Sequence, residues 1–251
     1  MMKINSENII DWTHLRFIAL GNLVNKLPDL LEKDFNDDAT LLLSLKNQYN
    51  PTFKNEVYSR GYKSFSDLEN LERIEPETYK EFNRQIGIEL NIAKLEGDLF
   101  EAKLNFERIA MSSIYLMVLA HFEDCLRRTC DVVKKELKCS LKWDDLRGST
   151  LDSFKNYINK ALNIHFDFNI SNEWKLLREY QIIRNFIIHN GGIIDDSEQS
   201  KKVMLIIEQN EHISFDLFGQ INLSRNYIIE VIRNADNFFV NLFNSLEEEG
   251  I

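Results

Sequence analysis

Residues 173–192 have the sequence EWKLLREYQIIRNFIIHNGG, and this stretch decides the fold class that we predict. Its apolar side chains recur at spacings of three and four residues, which is the pattern of one face of an α-helix. Ser171 or Asn172 can cap the first turn, and the Gly-Gly pair after His189 and Asn190 is a C-terminal stop. The stretch therefore predicts an amphipathic helix that runs to His189.

Helices are also the favoured structure on both sides of this stretch. The chain has 251 residues but only 9 Gly and 3 Pro, and no proline follows Pro76. Long segments are therefore free of helix-breaking residues. We predict an all-α bundle that has room for one small β-hairpin.

In the first third of the chain, apolar residues recur at helical spacing in residues 9–33 and 40–46. Pro28 interrupts the first run, which can form one kinked helix or two short ones. Residues 51–63 are expected to be irregular. A capping box at Ser66 predicts that a short helix begins there.

A long helical tract follows Pro76, a residue that suits the first turn of a helix. In residues 82–138, Gly87 and Gly97 are the only residues that would favour a bend or break in a helix. A helical hairpin and one very long helix are therefore both compatible with the sequence. The second half, residues 106–137, is expected to be a central core helix. Its apolar face contains Ile109, Ile114, Leu116, Met117, Leu119, Ala120, Phe122 and Leu126.

Two further helices are predicted in the last third of the chain. Ser149 or Thr150 can cap a helix over residues 151–162. Ser224 can cap a final amphipathic helix that ends before an acidic tail at residues 247–251.

The β-hairpin is expected between the helix at 173–192 and the final helix. Short apolar runs occur at residues 203–207 and 213–223, and Gly219 can supply a turn between alternating residues. The sheet would be minor.

The charge balance limits the possible nucleic-acid partners. Forty acidic residues oppose thirty basic ones, which gives a formal net charge of −10 at pH 7. Such a surface repels phosphate backbones as a whole, so non-specific binding to duplex DNA would lack its usual electrostatic contribution. Any role on nucleic acid must be local to one site.

The N-terminal sequence, MMKINSENIIDW, lacks the basic start and apolar run of a secretory signal. The longest apolar stretch, residues 109–120, is shorter than the roughly 20 residues of a membrane span. We therefore expect a cytoplasmic protein in which Cys125, Cys130 and Cys139 stay reduced.

Arg184 lies inside the main apolar arc of the helix at 173–192, where an unpaired charge would be costly. Arg178, Asn185 and His189 lie on the other side of the helix. The main arc contains Leu176, Leu177, Tyr180, Ile183, Ile187 and Ile188, and a second apolar patch contains Trp174, Ile182 and Phe186. Two apolar sides are expected if one side faces the core and the other faces a second subunit.

Arg184, Asn185, three further residues and His189 form a pattern that resembles the R-x4-6-H signature of the HEPN (higher eukaryotes and prokaryotes nucleotide-binding) superfamily. The IRN start, the HNGG end, an upstream core helix with Glu123-Asp124 and a closing helix add to this resemblance. It covers residues 105–246 as a HEPN-like helical bundle. Residues 1–104 would be an N-terminal helical extension of unknown role.

The resemblance implies a homodimer that forms through the Arg184–His189 helix and cleaves RNA without a metal or other cofactor. The ribose 2′-OH would attack the adjacent phosphate and leave 2′,3′-cyclic phosphate ends. His189 would take or donate a proton, Arg184 would stabilise the charge on the phosphorane, and Asn185 would orient the phosphate or His189.

By the same analogy, the setting would be a toxin-antitoxin or anti-phage system, with an antitoxin or defence protein as a possible partner. Glu123 or Asp124 is the expected partner of Arg184. Arg178 and Asn190 are further supporting residues of the expected site.

Simpler interpretations of these residues also exist. Arg184 can be a buried arginine paired with a core carboxylate, and His189 can cap the helix end. The chain would then be a non-catalytic HEPN-like module that dimerises or binds a partner protein. If RNA products with cyclic phosphate ends form and are lost in Arg184→Ala and in His189→Ala, the protein is a nuclease and not such a module.

Two other groups of residues are candidate binding sites. His121, Cys125 and Cys130 can place metal ligands along one helix, but core packing is favoured because no fourth ligand is evident. The basic pairs Lys134-Lys135 and Lys201-Lys202 can contact RNA or simply be solvated helix ends.

Overall fold

The structure is a computed structural model that describes residues 6–146, 148–216 and 218–250. It is all-α with one two-stranded hairpin, as predicted. The helices are α1 (Ser6–Asp34), α2 (Asn36–Gln48), α3 (Pro51–Ser59), α4 (Phe65–Ile74), α5 (Pro76–Glu136), α6 (Thr150–Asn156), α7 (Asn172–Asn190), α8 (Glu198–Glu208) and α9 (Arg225–Glu248). The antiparallel strands are β1 (Ile213–Phe215) and β2 (Ile221–Leu223), with Ile213 opposite Leu223.

The described residues divide into two compact units. The first contains residues 6–27 and the described residues after 107, and the second is Pro28–Glu107. This division differs from the predicted boundary at 104/105, since residues 6–27 belong with the C-terminal residues.

Residues 6–27 of α1 belong to the first unit, in which α1 packs along α9. His14 contacts Asp236, with 2.9 Å between Nδ1 and Oδ2, and Nε of Arg225 donates to Oδ1 of Asn25 at 3.2 Å. As the residue number rises along α1 it falls along α9, so the two helices are antiparallel. These contacts join residues about 200 positions apart, which sequence periodicity cannot detect.

The core of the first unit is rich in aromatic side chains. Phe238 of α9 packs against Phe122 of α5, Phe154 of α6 and Trp174 of α7, with ring centroids 5.4–6.2 Å apart. Edge-to-face and tilted aromatic pairs of this kind add to the free energy gained from burial alone. Helix α9 thus holds α5, α6 and α7 in one bundle.

The second unit has its own small core of Val57, Leu71 and Phe82. The expectation of irregular structure over residues 51–63 is wrong for residues 51–59, which form α3. The Asn50 side chain accepts a hydrogen bond from the N–H of Phe53, and proline suits the first helical position.

The start of α4 also differs from the prediction by two residues. Ser64, not Ser66, is the cap: its hydroxyl accepts from the N–H of Asp67, and the Asp67 carboxylate accepts from the N–H of Ser64. The predicted capping-box chemistry is present, but it uses an aspartate at the third helical position.

Helix α5 is a single helix of 61 residues, which decides between the hairpin and the long helix left open by the sequence. Helix α1 is likewise one continuous helix through Pro28. The expected core face of α5 is partly wrong, because Ile109 and Met117 are 61% and 44% exposed.

An 18-residue window of α5 is apolar and long enough to pass as a membrane span, but half of it is buried within the protein. The core helix of a soluble protein has the same property. One such helix is weak evidence for a membrane span.

Ser149, Ser171 and Ser224 cap α6, α7 and α9, and each accepts a hydrogen bond from the third helical N–H. Ser224 was predicted as the cap, and at the other two positions the structure selects the serine over the alternatives Thr150 and Asn172. Residues 203–207 are helical rather than part of the hairpin, since Ser197 caps α8 and Val203 is fully buried on it. A π-helical turn at Tyr157–Ala161 extends α6. Helix α9 continues into the predicted acidic tail as far as Glu248.

Candidate functional site

The buried residues of α7 follow one another at intervals of three. They are Trp174, Leu177, Tyr180, Ile183 and Phe186. Three residues turn a helix by 300°, so this stripe moves back by about 60° at each step and winds around the helix. Trp174 and Phe186 are therefore core residues, although they were predicted on a second apolar face, and Ile188, predicted on the main arc, is 47% exposed.

The winding stripe gives α7 different partners along its length. Trp174 packs against Phe168 at 4.6 Å between ring centroids, and Phe186 contacts Phe215 of β1 at 6.5 Å. Between them, the hydroxyl of Tyr115 on α5 donates to the carbonyl oxygen of Tyr180 at 2.6 Å. The helix is fixed at both ends and in the middle, so its polar side chains are held in defined directions.

Arg184 lies against α5. Its Nη2 is 3.7 Å from Oε2 of Glu123, and each of these side chains is about a quarter exposed. Arg184 and Glu123 line a small cavity together with Leu119 and Leu177. Of the two predicted partners, Glu123 is the one that is found, because Asp124 pairs with a residue one turn further along its own helix.

That residue is Arg128, whose Nε lies 2.8 Å from Oδ2 of Asp124. Residues 123 and 124 are 100° apart around α5, so only one of them can face α7. Glu123 or Asp124 was predicted as the partner of Arg184, and the structure shows that the partner is Glu123.

Asn185 links Arg184 to the opposite side of the helix. Nη1 of Arg184 donates to Oδ1 of Asn185 at 3.2 Å. This bond orients the side-chain amide and reduces the freedom of the guanidinium.

His189 is exposed and lines a groove of about 360 Å³ between α7 and α8. Asn185 and Ile182 lie on the same wall as His189, one and two turns before it, and Gln199 and Lys202 of α8 form the facing wall. The volume falls within the range of small-molecule sites. Ile182 was predicted beside Asn185 and His189, and the groove brings the three together.

Arg184 and His189 do not meet within one chain. They are five residues apart, which is about 140° around the helix axis, so the guanidinium faces α5 while the imidazole faces the groove. Asn185 contacts Arg184 and lines the groove, and is the residue common to both sides.

The end of α7 is built from two glycines in the left-handed region. Gly191 (φ 63°) is the C-cap, and its N–H donates to the carbonyl of Phe186. Gly192 (φ 73°) accepts from the N–H of Ile221 at 2.8 Å, and a Cβ at this position would lie 2.8 Å from the Ile221 side chain. Only glycine fits this close approach, which joins the His189 end of the helix to β2.

The two further residues expected to support the site are placed differently. Arg178 binds Asp152 of α6, with 2.8 Å between Nη1 and Oδ1, and lies roughly 16 Å along the helix from His189. Asn190 donates through Nδ2 to Oδ2 of Asp195 at 3.3 Å. Asn190 thus secures the loop before α8, while Arg178 joins α6 to α7.

Asp195 in turn accepts bonds from the hydroxyls of Ser197 and Ser200, and these bonds hold the pKa of its carboxyl below its usual range. The carboxylate is charged at neutral pH and keeps α8 in register with the end of α7. This local network positions the facing wall of the groove.

His121, Cys125 and Cys130 are core residues, in keeping with the packing interpretation. Nε2 of His121 is 3.3 Å from Sγ of Cys125, and the imidazole lies edge-on to Phe17. Burial, together with the charge of Arg16, lowers the pKa of His121, and burial raises the pKa of Cys125 to about 12. A thiol in this state is not a nucleophile.

No group of three or more His, Cys, Asp or Glu side chains able to hold a metal ion occurs in the part of the chain that the structure describes. Among those described residues, the His121–Cys125 contact has no third ligand of this kind beside it.

Two residues of the groove, Gln199 and Lys202, were not predicted as site residues. Lys202 belongs to the basic pair noted in the sequence, but nothing local distinguished it from Lys201. The only usable signal was the Ser197 cap, which would have predicted a helix with residues 199 and 202 on one face.

Comparison with known proteins gave no match among family models, curated proteins or solved structures. The features that bear on function are therefore the chemistry of the groove and the sequence pattern around Arg184 and His189.

Proposed function

We propose that this protein is a HEPN-type endoribonuclease that cleaves RNA by attack of the 2′-OH, without a metal ion. The observation that carries the proposal is the exposed imidazole of His189 in a groove with Asn185 on its own wall and Lys202 on the other. Imidazole is the side chain best suited to acid-base work near neutral pH. Arg184 and His189 also match the arginine and the histidine of the R-x4-6-H signature, which supports the proposal.

The proposed reaction needs one base and one acid. The base removes the proton of the ribose 2′-OH as the 2′ oxygen bonds to phosphorus, and the acid protonates the 5′ oxygen as its bond to phosphorus breaks. His189 of one chain can fill one of these roles. A homodimer formed through α7 would bring a second histidine for the other role.

Arg184 is proposed to stabilise the negative charge of the phosphorane. Since it lies about 140° from His189 around the same helix, it would act on a phosphate held across a dimer axis rather than in its own groove. Its long side chain is a quarter exposed and its contact with Glu123 is longer than a hydrogen bond, so the guanidinium keeps donors for a phosphate while the hydrogen bond to Asn185 orients it. Asn185 is proposed to orient the phosphate.

The proposed setting is a cytoplasmic toxin-antitoxin or anti-phage system, in which a partner protein restrains the nuclease. This part of the proposal comes from the family resemblance. The acidic chain, with a net charge of −10, favours an RNA selected by a confined groove over one bound by a broad basic surface.

The test is incubation of the purified protein with total cellular RNA in EDTA, followed by end-group analysis. We expect fragments with 2′,3′-cyclic phosphate ends from the unmodified protein. His189→Ala should lower the cleavage rate at least a hundredfold, whereas His165→Ala, which removes another exposed histidine, should leave it unchanged. Cleavage that persists in His189→Ala would contradict the proposal.

A second candidate function, a non-catalytic module that dimerises or binds a partner, is favoured by apolar exposure near the groove. Ile188, Ile193 and Leu205 are 47%, 51% and 59% exposed. Apolar side chains that form a contiguous exposed patch are typical of protein interfaces. A folded dimer that cleaves no RNA, with or without His189, would favour this function.

A further inference from the structure

We propose that Lys202 of α8 binds a phosphate of the RNA substrate, opposite His189. This inference rests on the proposed ribonuclease function and adds a substrate-binding residue that lies outside the Arg184–His189 helix. It makes α8 the second half of the site.

The direction of Lys202 follows from the residues that fix α8. Ser200 and Val203 are fully buried, and the Ser200 hydroxyl donates to Asp195 at 2.5 Å. With these two residues turned inward, Gln199 and Lys202, one turn apart, lie together at the edge of the buried side. Both line the groove that contains His189.

The neighbouring Lys201 has a different environment. Its Nζ lies 2.8 Å from Oε1 of Glu198, and consecutive residues of a helix are 100° apart, so Lys201 and Lys202 cannot face the same way. Lys201 is a lysine with its own carboxylate partner outside the groove. It is the matched control that the chain supplies.

The charges of the groove favour an anion. None of the described residues that line it carries a carboxylate, although the chain as a whole has ten more acidic than basic residues. A lysine ammonium group facing amides and an imidazole, without a carboxylate among them, is a suitable partner for a phosphodiester. A strand of RNA that placed one phosphate at His189 could place another at Lys202.

The experiment measures binding of a 2′-O-methyl RNA oligonucleotide, which cannot be cleaved by 2′-OH attack. Affinity is measured at several salt concentrations for the unmodified protein, Lys202→Ala, Lys202→Arg and Lys201→Ala. We expect Lys202→Ala to weaken binding about five- to tenfold and to reduce the slope of log K against log salt by roughly 0.7, the value for one phosphate contact on a single strand. Lys202→Arg and Lys201→Ala should stay within about twofold of the unmodified protein.

Each contrary outcome has a separate meaning. Equal effects of Lys202→Ala and Lys201→Ala, in a protein that cleaves RNA through His189, would overturn the role of Lys202 and leave the nuclease proposal standing. Selective weakening by Lys202→Ala in a protein that never cleaves RNA would support the phosphate contact and overturn the nuclease proposal. Failure of the unmodified protein to bind the oligonucleotide would overturn the phosphate contact.

Discussion

The carboxylate of Glu123 on α5 lies 3.7 Å from the guanidinium of Arg184 on α7, and this ion pair joins the two helices on a side of α7 that does not line the groove of His189. The carboxylate of Glu123 compensates the positive charge of Arg184, which the sequence pattern places inside the main apolar arc of α7. Because both side chains are about a quarter exposed, water reaches the pair and weakens it.

We expect Glu123→Gln to lower the free energy of unfolding by about 1 kcal/mol or less, since partly exposed ion pairs contribute little. Urea denaturation followed by circular dichroism measures this change. Arg184→Ala should be similarly mild in stability but should lower RNA cleavage about a hundredfold or more, as loss of a charge-stabilising donor does. Arg128→Ala, which breaks the exposed pair with Asp124, should keep full cleavage. A stability loss above about 3 kcal/mol in Glu123→Gln would show that the pair is part of the core.

Asn185 offers a test of the charge in the groove. Asn185→Asp keeps an oxygen that can accept from Arg184 but adds a negative charge beside the proposed phosphate site. We expect kcat/KM for RNA cleavage to fall about tenfold more in Asn185→Asp than in Asn185→Ala, and this difference to shrink at high salt because salt screens exposed charges. Equal losses in the two variants would mean that only the amide, and not the local charge, matters.

Gly191 and Gly192 form a matched pair for backbone and packing effects. Both have positive φ, but a Cβ at Gly191 would meet open space, whereas a Cβ at Gly192 would lie 2.8 Å from the Ile221 side chain. Gly191→Ala should cost about 1 kcal/mol through backbone strain alone. Gly192→Ala should cost roughly 1–3 kcal/mol more, because the neighbouring side chain must shift. Thermal and urea denaturation of both variants measure the difference, and equal costs would contradict the close contact with β2.

Asp216 gives a prediction for pH. Its Oδ1 accepts from the backbone N–H groups of Gln220 and Phe218, and its Oδ2 is 2.9 Å from Nη1 of Arg108; together these groups hold the pKa of the carboxyl below its usual range. A depressed pKa in the folded state stabilises the fold above the unfolded-state pKa, and this contribution is lost as the pH falls through the folded-state pKa.

Asp216→Asn should therefore lower the free energy of unfolding by about 1–2 kcal/mol at pH 7. The gap between the variant and the unmodified protein should stay constant down to about pH 5 and should narrow below about pH 4. Urea denaturation at a series of pH values measures it. A gap that widens on acidification would show that the carboxyl is not stabilised as a charge.

The cysteines provide a test by chemical labelling. Cys125 and Cys130 are fully buried, and burial raises the pKa of both thiols, whereas Cys139 is partly exposed. We expect one thiol per chain to react rapidly with a disulfide reagent in the native protein and three after denaturation. Cys139→Ser should remove the rapid reaction, and rapid labelling of two or three native thiols would contradict the described core.

Local chemistry explains which parts of the fold were predictable. Ser224 was predicted as a cap, and Ser149 and Ser171 each as one of two possible caps, because a serine followed by helical periodicity is a signal within four residues. The start of α3 was missed because Asn50-Pro51 was interpreted only as the end of the preceding helix. Each of these helix starts is determined by residues that are neighbours in the sequence.

The unpredicted features depend on tertiary packing. The winding stripe of α7 could not be predicted because Trp174 and Phe186 are buried by different partners, α6 and α9 at one end and the hairpin at the other. The groove wall from α8 depends on the turn made by residues 191–197. The pairing of Arg184 with Glu123 was predicted as one of two alternatives, and the orientation of α5 decided between them.

The antiparallel contact of α1 with α9 sets the order in which this protein can fold during synthesis. His14 and Asp236 are separated by 222 residues, so the first unit cannot close until the ribosome has translated α9. Residues 28–107 make their core from nearby residues and can fold earlier. The core of Val57, Leu71 and Phe82 can therefore pack on the nascent chain before the bundle that holds the His189 groove is closed by α9.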